Sequence, residues 1–282
     1  IWPGIAGPYD FRLPGGPIKD VSNTDVIWFN GSLLSLWHMA GDPYRVDPLT
    51  LETTGRETLG GKLSHSVSAH SKTDPVTKQL HFFNYQDEPP YMSYGMADAD
   101  GTLLFDTPVG LPGPRSPHDM GLTETWAILH DLPFYHDVDI LRSHGRRVMG
   151  FHRDQPARFG LIDRYGRSDK VQWFEAEPCY ILHISNSWEE GDWVHMVGCR
   201  QEDPMPEKDP KDHHLASMMA YRRRTHVLWR WSFNTRTGET REAALDDVNT
   251  EFPTVNTNMM GRPTRLSFNQ VIPVPQEGTL EG

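Results

Sequence analysis

Short apolar runs, many alternating with polar residues, recur along the chain, and each is closed by a turn built on Asp, Asn or Gly. The stretch DVIWFNGSLLSLWHM (25–39) predicts two strands around Asn30-Gly31, a dipeptide suited to a two-residue hairpin. YRVDPLTLETTG (44–55) repeats the pattern with Asp47-Pro48 as the turn, and further turns fall at Asp74-Pro75, Asp98–Gly101, Asp163–Gly166 and Asn234–Gly238. In each, an Asp or Asn side chain can bond the backbone ahead of it. Helical periodicity is confined to HHLASMMAYRRR (213–224), too short to organise a core. The fold class is therefore all-β. Among sandwich, barrel and propeller, similar hairpin units without intervening helices favour a propeller of four-stranded blades. The charged, Pro-rich stretch 201–214 reads as a surface loop between blades.

Composition narrows the function. The net charge of −11 excludes a nucleic-acid backbone as the main partner. No apolar run is long enough to span a bilayer. The two cysteines, Cys179 and Cys199, form no metal-binding pair and suggest reduced thiols in a cytoplasmic setting. There is no HExxH, no GxSxG elbow and no phosphate-binding glycine loop, which disfavours the classes that need them. A calcium-dependent propeller hydrolase is not removed by composition, because carboxylates are plentiful.

Three of the fourteen histidines stand out by their surroundings. His70 lies in SVSAHSKTDPVTKQLHFFNY, His118 in SPHDMGLTETWAILHDLPF and His183 in CYILHISNSWEEGDWV. They sit on separate strand-like segments, so they meet only if successive strands are gathered around one centre. All three stretches resemble iron-ligand motifs of the carotenoid cleavage oxygenase family, with Ser71 where Pro is usual and Lys78 where Gly is usual. Downstream, LWRWSFNTRTGETREAALDD (228–247) and EFPTVNTNMMGRPTR (251–265) are similar to further family motifs. The resemblance runs in order from about residue 10 to the end.

What the resemblance implies is a seven-bladed β-propeller whose axis holds a non-haem Fe(2+) on four histidines and uses O2 to cleave an alkene into two carbonyl products. His70, His118 and His183 would be three of the ligands. Glu251 matches a glutamate that accepts the second ring N–H of a ligand. His38 falls where another such glutamate often stands; an imidazole there can accept only through its unprotonated nitrogen. Trp37 occupies a place where stilbene-cleaving members carry a substrate-binding lysine. Its flat apolar face suits a carotenoid or apocarotenoid, with a stilbene as the alternative.

Two features depart from the family pattern. No histidine follows His226, so the fourth ligand is missing, and the opening blade is absent. Residues 1–282 are accordingly expected to form one partial propeller domain of four or five blades, a fragment of a longer product and poorly stable alone. A non-catalytic propeller binding a hydrophobic ligand is the rival reading. Peripheral contact with a membrane, to collect a lipophilic substrate, is a further expectation.

Overall fold

A computed structural model describes residues 20–273 apart from positions 39, 146 and 168. Blade 1 is β1 (Asp25–Phe29), β2 (Ser32–Leu36), β3 (Tyr44–Val46) and β4 (Thr53–Arg56). Blade 2 is β5 (Lys72–Thr73), β6 (Leu80–Tyr85), β7 (Tyr91–Ala97) and β8 (Leu103–Gly110). Blade 3 begins with β9 (Gly121–Leu122) and β10 (Trp126–Asp131). It is then interrupted by β11 (Phe134–His136), α1 (Val138–His144) and β12 (Met149–Phe151), and resumes with β13 (Ala157–Asp163) and β14 (Val171–Ala176). Blade 4 is β15 (Tyr180–Glu190), β16 (Trp193–Gln201), the short helix α2 (Ala216–Arg222), β17 (Val227–Asn234), β18 (Thr240–Thr254) and the extra strand β19 (Phe268–Val271). Every ladder is antiparallel, in chain order within each blade. The four-blade arrangement agrees with the all-β propeller expectation.

The turns form where the sequence puts them. Asn30 and Gly31 both take positive φ, 44° and 73°, as a hairpin with the right strand twist requires. Asp47 Oδ1 accepts the N–H groups of Leu49 and Thr50, both at 2.8 Å. Asp74 Oδ1 does the same for Val76 and Thr77, and Asn234 Oδ1 for Arg236 and Thr237. Each turn satisfies backbone donors that the ladder leaves over.

Blades stack through apolar faces, and the two-residue period of a strand lets one strand serve two cores. Phe82 enters the core shared by blades 1 and 2 with Phe29, Leu34 and Leu36, while its neighbour Phe83 enters the core of blades 2 and 3 with Met92, Tyr94 and Leu129. On β10, Ala127 and Leu129 face blade 2, whereas Ile128 joins Phe159, Phe174, Trp231 and Phe233 between blades 3 and 4. Continuous apolar runs such as HFFNY and WAIL are thus strands buried on both faces.

One expectation is corrected. The stretch 201–214 does not join blades; it connects β16 to β17 inside blade 4, the same sheet continuing on either side. Charge and proline mark an exposed connection, but they carry no information on which strands it links. Among the described residues no helix is long and apolar enough to cross a membrane.

Candidate metal centre

The first strands of the blades are neighbours around a common axis: β1 contacts β5, and β9 contacts β15. His70 lies two residues before this strand in blade 2, His118 three residues before it in blade 3, and His183 lies on it in blade 4. Three successive blades therefore deliver one imidazole each to one place. The ring centroids are 4.8 Å (His70–His118), 5.0 Å (His70–His183) and 5.0 Å (His118–His183) apart. One potential ligand atom from each lies within 4.8 Å of the others. All three side chains are half-buried.

Local backbone irregularities aim these rings. His70 takes a left-handed φ of 59°, and its N–H bonds Asp25 Oδ2 at 3.1 Å. His183 lies where the β15–β16 register slips between Ile181 and Ile184, a bulge that turns a side chain off the regular alternation. Gly198 opposite has no room for a side chain to spare: a Cβ there would meet the His183 carbonyl oxygen at 3.0 Å.

The ring nitrogens are sorted by their partners. His183 Nδ1 stands 2.6 Å from Glu251 Oε2 and donates to that carboxylate, which leaves Nε2 as the candidate ligand atom. His70 Nδ1 faces Asp25 Oδ2 at 3.7 Å, and its Nε2 is buried with no hydrogen-bond partner. Burial holds His70 below the ordinary imidazole pKa, and His118 falls to about 2 through burial and the neighbouring His70 and His183. Three imidazoles converging on one point, one of them with a buried and unpartnered Nε2, are a donor set for a transition metal. The residues present therefore fit a divalent iron, and nothing in their chemistry excludes neighbouring metals.

Asp119 ties the three segments together. Its Oδ1 accepts Lys72 Nζ at 2.7 Å and its own neighbour Met120 N–H, while Oδ2 accepts Ile184 N–H at 2.8 Å. Lys72 is two residues after His70, Asp119 follows His118, and Ile184 follows His183. Burial alone would raise the Asp119 pKa; Lys72, His70 and the Ile184 N–H hold it well below the carboxylate range.

His38 lies against His118 with ring centroids 5.1 Å apart, and its Nδ1 is 3.3 Å from Thr24 Oγ1. Burial, then the proximity of His70 and Arg147, lowers its pKa to about 4, which keeps it neutral. Trp37 is 8% exposed and meets His38 edge-on at 6.3 Å. The sequence reading did not find Asp25, Lys72 or Asp119, which carry no motif of their own. Their only signal is position: each lies within two residues of a candidate ligand or at the head of β1.

Fold and site together define a β-propeller with a histidine centre on its axis. A family model described as retinal pigment epithelial membrane protein matches residues 2–281. The chain belongs to that family, the carotenoid cleavage oxygenases. It is 33% identical over 254 residues to a carotenoid 9,10(9′,10′)-cleavage dioxygenase of Crocus sativus, covering 89% of this chain and 46% of the relative. To a carotenoid 9,10(9′,10′)-cleavage dioxygenase 1 of Arabidopsis thaliana it is 31% identical over 258 residues, with the same coverage of 89% and 46%. The crystal structure of Pseudomonas brassicacearum lignostilbene dioxygenase superimposes with a TM-score of 0.77 at 27% identity, over 89% of this chain and 53% of that one. The chain spans about half the length of the curated relatives it matches.

Proposed function

We propose that this chain carries most of the iron centre of an oxygenase that cleaves a carbon–carbon double bond of a carotenoid or apocarotenoid. The convergence of His70, His118 and His183 from three blades carries the reading. These three imidazoles would hold Fe(2+), and the bound iron would supply the electron transfer with O2 that splits the alkene into two carbonyl products.

The chain's own residues support this in definite ways. An all-neutral ligand set adds no negative charge, so an ion held there stays cationic. Glu251 accepts the His183 Nδ1 proton, fixing the tautomer that presents Nε2. His38, neutral and packed on His118, supports that ring without adding charge. At position 37, where stilbene-cleaving members carry a lysine, a buried Trp packs edge-on against His38, so no cation stands there for a phenolate and a polyene is favoured. The two plant relatives, both carotenoid 9,10(9′,10′)-cleavage dioxygenases, support the same substrate class.

Anaerobic loading with Fe(2+), followed by metal analysis of the parent and of His118→Ala, tests the reading. The parent should retain iron and the variant should lose most of it. Equal iron in both removes the basis of the assignment. Product analysis on an apocarotenoid and on a hydroxystilbene then decides the substrate class.

A further inference from the structure

Phe252 has the most unfavourable backbone near the centre. It takes φ 50°, a left-handed conformation uncommon outside Gly, Asn and Asp and a true outlier for a bulky side chain. It also precedes Pro253, a position that favours extended backbone. The β18–β19 register slips at the same place: Glu251 pairs with Gln270 and Thr254 with Phe268, so one extra residue is inserted on β18. Such bulges re-aim side chains.

Two contacts are made at this bulge. The Phe252 N–H turns back and donates to Glu251 Oε2 at 2.5 Å, the same oxygen that accepts the His183 proton. Glu251 Oε1 is buried with no partner, so Oε2 alone anchors the carboxylate. The Phe252 ring meanwhile stacks on His183, centroids 4.9 Å apart at 30°, although the residue is 62% exposed. An extended φ at residue 252 would leave this N–H in place but swing the ring off His183. A well-packed core gains nothing from this strain, since the ring lies along the open hollow that His70 and His183 also line.

We infer that Phe252 is a positioning residue for the metal centre: its left-handed backbone lays its ring over one face of the His183 imidazole, while its N–H bonds the Glu251 oxygen that holds His183 Nδ1. The inference rests on the metal reading above and assigns to the Glu251–His183 pair the part that sets its geometry.

Cobalt(II) titration followed by visible absorption tests it on the full chain. Phe252→Tyr keeps ring and backbone, and should bind within about twofold of the parent. Phe252→Gly keeps the left-handed backbone and the N–H but loses the ring. Its affinity should fall about threefold to tenfold. Phe252→Val disfavours the left-handed backbone and loses the ring as well, so binding should weaken ten- to hundredfold, the span seen when a ligand's supporting partner is removed. The cobalt bands of the Gly and Val proteins should shift. Parent-like affinity and spectrum in either of those two, or a Tyr variant as weak as Val, overturns the inference while leaving the metal reading standing. Failure of the parent to bind cobalt overturns both.

Discussion

Lys72 Nζ lies 2.7 Å from Asp119 Oδ1, a salt bridge between blades 2 and 3 whose carboxylate side chain is only 2% exposed. It joins the residue two places after one candidate ligand to the residue just after another. The pair is therefore part of the frame on which His70 and His118 hang.

Lys72→Met keeps the aliphatic stem and strands the Asp119 charge. Removing one partner of a buried pair costs about 3 kcal/mol or more. Urea unfolding of the metal-free protein should show a loss of that size. A loss under about 0.5 kcal/mol, the range of an exposed pair, would mean that solvent already screens Asp119.

Glu251→Gln preserves shape and removes the negative charge facing His183 Nδ1. A ligand that loses its anionic partner binds metal ten- to hundredfold more weakly. Competition against a chelator of known affinity measures the change; unchanged retention would show that the carboxylate's charge is immaterial to the centre.

Two histidines outside the centre give stability opposite pH slopes. His65 Nδ1 lies 2.7 Å from the Ser66 carbonyl and Nε2 2.5 Å from Asp106 Oδ2, both acceptors, so the ring is held as an imidazolium. Burial opposes the charge, but Asp106 and Ser66 outweigh it and raise the pKa. Its contribution is complete below about pH 6.5, the unfolded value, and is lost as pH rises through the folded pKa. His81 behaves in reverse. Burial, then Arg164, drives it to about 3, with Nε2 2.9 Å from Arg164 and Nδ1 2.8 Å from Tyr94 Oη. Unfolded chains take up the proton first, so stability falls as pH drops from about 6.5 towards 3. Urea midpoints across pH should show the alkaline loss flattened in His65→Gln and the acid loss flattened in His81→Gln. Curves parallel to the parent would contradict both assignments.

Gly95→Ala tests the stacking of blade 2. A Cβ at residue 95 would stand 2.3 Å from the Phe82 ring, inside the core shared with blade 1. Overpacking of this kind costs about 1–3 kcal/mol, to be read as a lowered thermal midpoint. An unchanged midpoint would show that Phe82 has room to turn.

The hairpins and the three histidines were legible because their signals are local. An Asp or Asn two or three residues before the N–H groups it bonds is visible in sequence, as at Asp74 and Asn234. The insertion of β11, α1 and β12 was not seen, although Asp137 caps α1 at Asp139 and Ile140 and Gly145 ends it in a left-handed conformation. Seven helical residues do not develop a readable period. The bulges at His183 and Phe252 were also invisible, because a register slip is defined by the partner strand. For the same reason Asp25 and Asp119 could not be assigned as supports, their partners lying 45 residues away for Asp25 and His70 and 47 for Lys72 and Asp119.

Each candidate ligand belongs to a different blade, so none of blades 2, 3 and 4 can slide or tilt without pulling a corner off the triangle. An ion seated there would favour the correctly stacked chain over every loosened one, adding its binding free energy to the apolar contacts between sheets. Chelation should therefore loosen the stacking of blades 2, 3 and 4, far beyond the few residues that touch the ion.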